Sequence, residues 1–360
     1  MDERLKRLRT RIDAIDEKLV KLLNERVSVT KQISSLKKGT EKGALYRPER
    51  EAELLSRARK LNHQYGNGLI DDELISFFFT QVMSVTFQKS GQLRIAYLGP
   101  EGTYSHAAAI KRFGERVEFA HTNDIGAIFE VVEAKESDFG VVPVENSTEG
   151  IITHTFDRFI GSSLKICSEL ELKIVSCLMA KKGTKDITKI YSHPQPLAQC
   201  RNFLRRNYPQ AELIATSSTA RAAEIVETEK NAACIGPELA AKLHALEVVK
   251  KGIQDSNDNI TRFLIVGDYE TKPTGHDKTS VVFSMPDRAG ALDEMLSILK
   301  KANINMTKIE SRPLKDKVWQ YYFFVDVDGH RHDAHLAAAL GELEKKAQLF
   351  KVLGSYPKAR

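Results

Sequence analysis

The sequence is poor in several features that would take it out of ordinary water-soluble globular chemistry. Its 360 residues include four cysteines, one tryptophan and 11 prolines. Cys167, Cys177, Cys200 and Cys234 form no C-x-x-C pair and have no zinc-like spacing. That excludes a disulfide framework or a zinc module and predicts free, mostly buried thiols in a reducing cytoplasm. No apolar run approaches the roughly 18 residues of a membrane span. The opening MDERLKRLRTRIDAID is charged and helical, without the apolar core of a signal peptide. A surplus of one charge is nearly missing too. The formal net charge is +6, and residues 1–90 hold +5 of it, with 18 Lys+Arg against 13 Asp+Glu. The remaining chain is close to neutral, so a broad nucleic-acid or membrane footprint is not expected.

What is present is an ordinary globular balance, 42% hydrophobic and 28% charged, in a chain long enough for two or three domains. Residues 3–38 lack both Gly and Pro. Leu5, Leu8, Ile12, Ile15, Leu19, Leu22, position 26, Val29, Ile33 and Leu36 follow one another in steps of three and four. This heptad seam predicts one long helix whose apolar face needs a partner helix or a second chain. Pro48 opens a second helix, and Asp71-Asp-Glu opens a third. After the short linker Ser90-Gly-Gln92, short apolar strands alternate with helical stretches, which predicts an α/β domain with mostly parallel sheets. A polar linker with Pro273 and Gly275 follows, and then a β-α-β-β-α-β tail in the ferredoxin-like order. The expected domains are residues 1–90, 93–268 and 278–356.

The anomaly in the seam is Arg26, which occupies an apolar position. A buried guanidinium needs a fixed anion. A carboxylate of the bundle, snorkelling to the rim, or a bound ligand would each satisfy it. Lys37 lies on nearly the same face, and Ser84 and Gln88 project side by side at i and i+4. A dry pocket of Arg, Lys, Gln, Ser and Glu suits a reaction driven by electrostatic preorganisation. The set Arg9, Arg26, Lys37, Arg50-Glu51, Ser84 and Gln88, with Asp16-Glu17-Lys18-Leu19 and Leu22-Leu23, resembles the all-helical chorismate mutases. The resemblance implies an intertwined dimer that rearranges chorismate to prephenate. It further implies that Arg9 of the partner chain and Arg26 hold the two carboxylates, supported by Arg50. Lys37 and Gln88 would flank the ether oxygen, and Glu51 and Ser84 would complete the pocket. Where some members carry an acidic residue shortly before this glutamate, the chain has Arg47.

In the middle domain, Gly99-Pro-Glu-Gly-Thr-Tyr-Ser105 follows a strand and precedes a helix, a geometry that can offer N–H groups to an anion or be a plain turn. It is neither a dinucleotide fingerprint nor a P-loop. Val142-Pro-Val-Glu-Asn-Ser-Thr148 places Glu145 and Asn146 past a buried strand, where open α/β sheets bind ligands. Tyr191-Ser-His-Pro-Gln-Pro-Leu-Ala-Gln-Cys200 supplies Ser192, His193 and Gln199. Asn259-Ile-Thr-Arg-Phe263 supplies Thr261, Arg262 and Phe263. His193 could be a base or a structural residue before a proline turn. Together these motifs resemble the prephenate dehydratases. That implies two α/β lobes around a cleft, like type II periplasmic binding proteins, and conversion of prephenate to phenylpyruvate with loss of carbon dioxide and hydroxide. By the resemblance, Thr261 assists the leaving hydroxyl as a hydrogen-bond donor. Arg262 would hold a carboxylate, Phe263 would shape the pocket, and Asn146, Ser192 and Gln199 would orient the substrate with Glu145 nearby.

In the tail, Met285-Pro-Asp-Arg-Ala-Gly-Ala-Leu292 and Glu310-Ser-Arg-Pro313 resemble the ACT domains fused to this dehydratase. That implies feedback inhibition by phenylalanine, bound near Gly290, Ala291 and Leu292 and near Glu310, Ser311 and Arg312. His330, His332 and His335 lack a carboxylate cage, so no metal is expected, and no cofactor is expected either. Trp319 is expected to pack.

The whole therefore reads as a multidomain chain: an all-α mutase module, a two-lobed α/β dehydratase and an α+β ACT domain. It would act on chorismate and prephenate, respond to L-phenylalanine and assemble as a homodimer or larger homo-oligomer, without nucleic acid or membrane. Two other readings are an arogenate-preferring dehydratase with a mutase domain, and a non-catalytic amino-acid-sensing solute-binding protein that would tolerate alanine at position 261.

Overall fold

A computed structural model describes residues 3–37, 46–91, 93–313 and 321–359; Trp319 and the side chains of Ser34 and Lys37 lie outside the described residues. The chain forms two compact units. The first is built from α1 (Glu3–Lys37), most of α2 (Pro48–Tyr65) and α3 (Asp72–Ser90), with residues 113–118. Local chemistry sets the helix starts. Pro48 sits in the first turn of α2, and the Asp71 carboxylate accepts from the Leu74 N–H at 2.7 Å to cap α3. Within this unit Tyr46 is buried edge-on against Phe87 and Phe113. The described residues leave the seam of α1 open: Leu5, Leu8, Ile12, Ile15, Leu19, Leu22, Val29 and Ile33 are 42–61% exposed.

The second unit holds three sheets. The first lobe contains β1 (Arg94–Leu98), α4 (Tyr104–Phe113), β2 (Glu118–Thr122), α5 (Ile125–Glu133), β3 (Phe139–Asn146), β4 (Gly150–Ile151), α6 (Thr153–Gly161) and β5 (Lys165–Lys173). The second lobe contains β6 (Cys177–Ala180), β7 (Lys189–Ser192), α7 (Pro194–Gln199), α8 (Arg201–Asn207), β8 (Glu212–Ala215), α9 (Thr219–Thr228), β9 (Ala232–Gly236), α10 (Glu238–Leu243) and β10 (Glu247–Lys251). The chain then returns to the first lobe as β11 (Ile260–Gly267). The sheet orders are β2-β1-β3-β11-β5, with β4 on β3, and β10-β6-β9-β7-β8.

The expectation of mostly parallel sheets is corrected here. Pairs β1–β3, β7–β8 and β7–β9 are parallel, but β11 runs antiparallel to both β3 and β5, and β6 antiparallel to β9 and β10. The cause is the return crossing: β11 re-enters the first lobe from the second and slots between two strands that point the other way. The two crossings run side by side. Ser176 accepts from the Gly252 and Ile253 N–H groups at 3.0 Å each, and Ile174 N–H donates to Asn259 O at 2.8 Å.

The last sheet is made by β12 (Asp277–Ser284), β13 (Met306–Pro313), β14 (Tyr321–Asp328) and β15 (Leu349–Pro357), with α11 (Ala291–Lys301) and α12 (Ala334–Lys346). Its order, β13-β14-β12-β15, is the ferredoxin-like arrangement. Val281, Phe283 and Val325 face the helices. On the other face, Val282, Phe324, Leu353 and Tyr356 join the core of the first dehydratase lobe with Ile166, Leu264 and Val266. Gly354 permits this approach, since a Cβ there would meet the Ile166 backbone. Sheet and lobe thus share one hydrophobic core.

Candidate functional site

The motifs of the middle domain converge where β3 ends and β11 begins. Asn146 is the hub. Its Oδ1 accepts from the backbone N–H of Thr148 and Glu149 at 3.0 and 3.1 Å and from the Thr148 hydroxyl at 2.6 Å. Three donors on one atom fix the amide orientation, because only the carbonyl oxygen accepts. Nδ2 therefore points to Thr261 Oγ1 at 2.8 Å and to Asn259 Oδ1 at 2.7 Å. Asn259 Nδ2 donates to Gln199 Oε1 at 3.0 Å, and Gln199 Nε2 returns to Thr148 Oγ1 at 3.2 Å. The result is a closed ring of side-chain hydrogen bonds. Asn146, Asn259 and Thr261 are buried, and Thr148 at the rim is exposed. Thr261 Oγ1 accepts from Asn146, so its own proton is directed away from that amide and is available to a ligand.

Asn259 was not singled out by sequence reasoning, yet it belongs to the ring. The signal was present: Asn259 and Thr261 are two apart at the head of a strand, so they share a face. Tyr104 was likewise passed over. Its buried hydroxyl meets Ser176 Oγ at 3.1 Å, between the two crossings, and burial pushes its pKa up.

Other expected residues sit differently. Ser192 is buried and donates to Ile235 O at 2.7 Å, so its hydroxyl is committed to the second-lobe backbone. His193 caps α7, its Nδ1 accepting from Gln195 N–H at 3.4 Å. In the Gly99–Ser105 turn, Gly102 N–H donates to His106 Nδ1 at 3.1 Å, which uses one of the groups an anion would need. Phe263 is fully buried in the sheet.

Arg262 and Glu145 lie on the opposite face of the sheet from the ring. Successive residues of a strand point to opposite faces, so each faces away from its neighbour in the ring. Arg262 is paired with Glu169 at 2.7 Å and Asp326 at 2.8 Å and donates to Tyr356 Oη at 3.1 Å. Burial works against its charge, but Tyr356, Asp326 and Glu169 together hold its pKa above the usual arginine value. Burial also opposes the charge on Glu169, yet Arg262 and Lys278 (2.9 Å) keep its pKa below the usual carboxylate range. Glu145 is paired with Lys308. The fork expected on a substrate carboxylate is thus already neutralised.

In the helical unit, Arg26 donates to Thr86 Oγ1 at 3.2 Å, and burial lowers its pKa. No carboxylate is paired with it among the described residues. Gln88 and Arg9 are exposed, and Arg47 is the N-cap residue of α2. Ser84 is buried and accepts from Arg116 N–H at 2.7 Å. On the first turn of α2, Glu51 is buried and paired with Arg112 at 2.8 Å, while Arg50 pairs with Glu53 at 2.7 Å. A buried carboxylate needs a cation, and Arg112 supplies one to Glu51 from within the chain.

In the last sheet, Gly290 has φ +79°, the left-handed turn that starts α11, with Ala291 buried behind it. Glu310 and Ser311 lie on edge strand β13, and Arg312 there pairs with Asp157 at 3.1 Å. His330 is buried and structural: Nε2 meets Thr271 O at 3.1 Å, and Nδ1 accepts from His332 N–H at 3.2 Å. All four cysteines are buried and free, and burial raises their pKa values.

These three modules correspond to three known families. Residues 8–90 match chorismate mutase type II, residues 95–271 prephenate dehydratase and residues 279–345 the ACT domain. The bifunctional chorismate mutase/prephenate dehydratase of Aquifex aeolicus is 41% identical over 358 residues, covering 99% of each chain. That of Pseudomonas aeruginosa is 44% identical over 363 residues, covering 99% of this chain and 98% of its own. Among solved structures, prephenate dehydratase from Arthrobacter aurescens in complex with L-Phe superposes with a TM-score of 0.68 at 34% identity, over 74% of this chain and 90% of that one. The chain belongs to the bifunctional chorismate mutase/prephenate dehydratases.

Proposed function

We propose that the chain rearranges chorismate to prephenate in its helical module and converts prephenate to phenylpyruvate in the two-lobed cleft, under inhibition by L-phenylalanine at its ACT domain. The modules are residues 1–90, 93–268 and 278–356. The observation that carries the dehydratase reading is the oriented ring, in which Asn146 takes a lone pair of Thr261 and leaves the hydroxyl proton to the substrate. As the carboxylate leaves with its carbon as carbon dioxide, the bonding electrons enter the ring and the ring C–O bond breaks. The hydroxide departs while accepting a hydrogen bond from Thr261, and solvent supplies the proton that turns it into water. Gln199 and Asn146 orient the substrate. No helix among the described residues is long and apolar enough to cross a membrane, and four free buried thiols suit a cytoplasmic enzyme.

The mutase site is completed by a second copy. Arg26 and Gln88, with Lys37 and Arg50, would supply its cations and donors, and Arg9 would come from the other chain. Glu51 and Ser84 support the site from the positions described above. The exposed seam of α1 favours this dimer: at about 25 cal/mol per Å2, covering even part of eight half-exposed aliphatic side chains is worth several kcal/mol. Leu19→Glu should therefore halve the mass seen in sedimentation and reduce mutase activity by at least about tenfold, leaving dehydratase turnover of added prephenate in place. Retention of the parent's mass and mutase rate would exclude this face as the interface.

The direct test of the whole reading is to give the purified chain chorismate and follow prephenate and phenylpyruvate, with and without phenylalanine. Both products should appear in sequence, and phenylalanine should suppress the second. Absence of either conversion would sink the corresponding half.

A further inference from the structure

The ring residues Asn146 and Thr261 are register partners across β3 and β11, and so are their neighbours Glu145 and Arg262. The two pairs lie back to back on one sheet, the first facing Asn259 and Gln199 of the ring and the second facing the ACT sheet. Both members of the second pair are held by that sheet: Glu145 by Lys308 of β13, and Arg262 by Asp326 of β14 at 2.8 Å. Lys308 and Asp326 are themselves register partners. The ACT sheet thus presents one charged cross-strand pair to another of complementary sign. Lys308 is two residues from Glu310 and on the same face of β13, as is Arg312, which grips Asp157 of the dehydratase lobe. The strand expected to hold the effector is therefore tied by salt bridges to the strand that carries Asn146.

We propose that the contacts Lys308–Glu145 and Asp326–Arg262 are the link through which the ACT domain sets the geometry of the Asn146–Thr261 pair, with Glu145 and Arg262 as positioning residues rather than substrate ligands. The inference rests on phenylalanine being the effector. A strand is stiff along its length and packed interfaces switch rather than deform, so a shift of β13 carried through Lys308 moves the backbone of residue 145 and with it the amide of 146. The shared core leaves little slack for the movement to dissipate.

A point substitution in the full chain tests this better than truncation, because Val282, Phe324, Leu353 and Tyr356 belong to the dehydratase core. Lys308→Met keeps most of the length of the side chain and removes the charge. The expected result has three parts. Uninhibited dehydratase kcat/KM stays within about threefold of the parent, phenylalanine still binds in equilibrium dialysis, and the residual rate at saturating phenylalanine rises at least about tenfold. Lys308→Arg should restore inhibition. Inhibition as deep as the parent's would overturn the proposal. So would loss of phenylalanine binding, which would put Lys308 in the effector site, or loss of uninhibited dehydratase activity with the mutase intact. If Lys308→Met fails to fold, Lys308→Gln removes the same charge with a polar side chain and is read by the same criteria. A parent that neither binds phenylalanine nor is inhibited by it would fail the effector assignment itself, whatever Lys308 does.

Discussion

The N146D protein is expected to lose dehydratase turnover by about 10³-fold, roughly 4 kcal/mol, while rearranging chorismate at the parent rate. The exchange is nearly isosteric and leaves Oδ1 with its three donors from Thr148 and Glu149. Its effect falls on the other atom. An oxygen then stands where Nδ2 stood, 2.8 Å from Thr261 Oγ1 and 2.7 Å from Asn259 Oδ1. The Thr261 hydroxyl must turn and donate to the carboxylate, which takes its proton out of the cleft. Asn259 faces an acceptor with its own acceptor and must flip, and the flip sets its oxygen against Gln199 Oε1. One atom thus reverses the ring, and the new charge also repels a dicarboxylate substrate.

The pH profile separates this mechanism from simple misfolding. Burial and two facing oxygens raise the pKa of the introduced carboxyl, and its protonated form again offers one donor. Activity of N146D should therefore partly recover as pH falls, with no such gain in the parent. Thr261→Val should be as damaging at every pH, because no protonation restores a hydroxyl. A flat profile for N146D at the parent's rate would show that the ring does not govern the donor.

Much of this was legible in the sequence because it is local. The steps of three and four in α1, the cap at Asp71 and the β-α-β-β-α-β order are each written in consecutive residues, and Asn146, Gln199 and Thr261 all reach one ring. What was not legible shares a physical cause. Thr-Arg-Phe is contiguous in the chain, but a strand splits it between faces, so Arg262 answers to Asp326 and Tyr356, which arrive from another domain. Glu145 beside Asn146 is split in the same way. The mixed sheet was hidden because nothing in the composition of β11 records the direction from which it enters. The resemblance implies that Glu51 and Ser84 complete the pocket, while their partners within the chain, Arg112 and the Arg116 N–H, belong to α4 and the turn after it.

Arg26→Ala is expected to lower mutase kcat/KM by about 10²–10³-fold while conversion of added prephenate continues unchanged. The contrast with Arg262 is the reason. Arg262 is largely buried and surrounded by carboxylates of its own chain, whereas the half-buried Arg26 donates to a neutral hydroxyl, Thr86 Oγ1, which itself donates to Val82 O at 2.8 Å. A half-buried cation with, among the described residues, a hydroxyl rather than a carboxylate beside it gains most from an anion, and burial already lowers its pKa. Chorismate brings two carboxylates, and a planar fork grips one of them with two parallel bonds. Arg26→Lys should keep part of the effect, since it preserves the charge and loses the fork. Sedimentation belongs in the same experiment, because position 26 lies on the seam proposed to join two chains, and removing a guanidinium from that seam should leave the dimer intact or tighten it. Unchanged chorismate turnover at unchanged mass would place the mutase pocket elsewhere in the bundle. A fall in turnover with the dimer preserved would assign the positive charge at this otherwise apolar position to the ligand rather than to assembly.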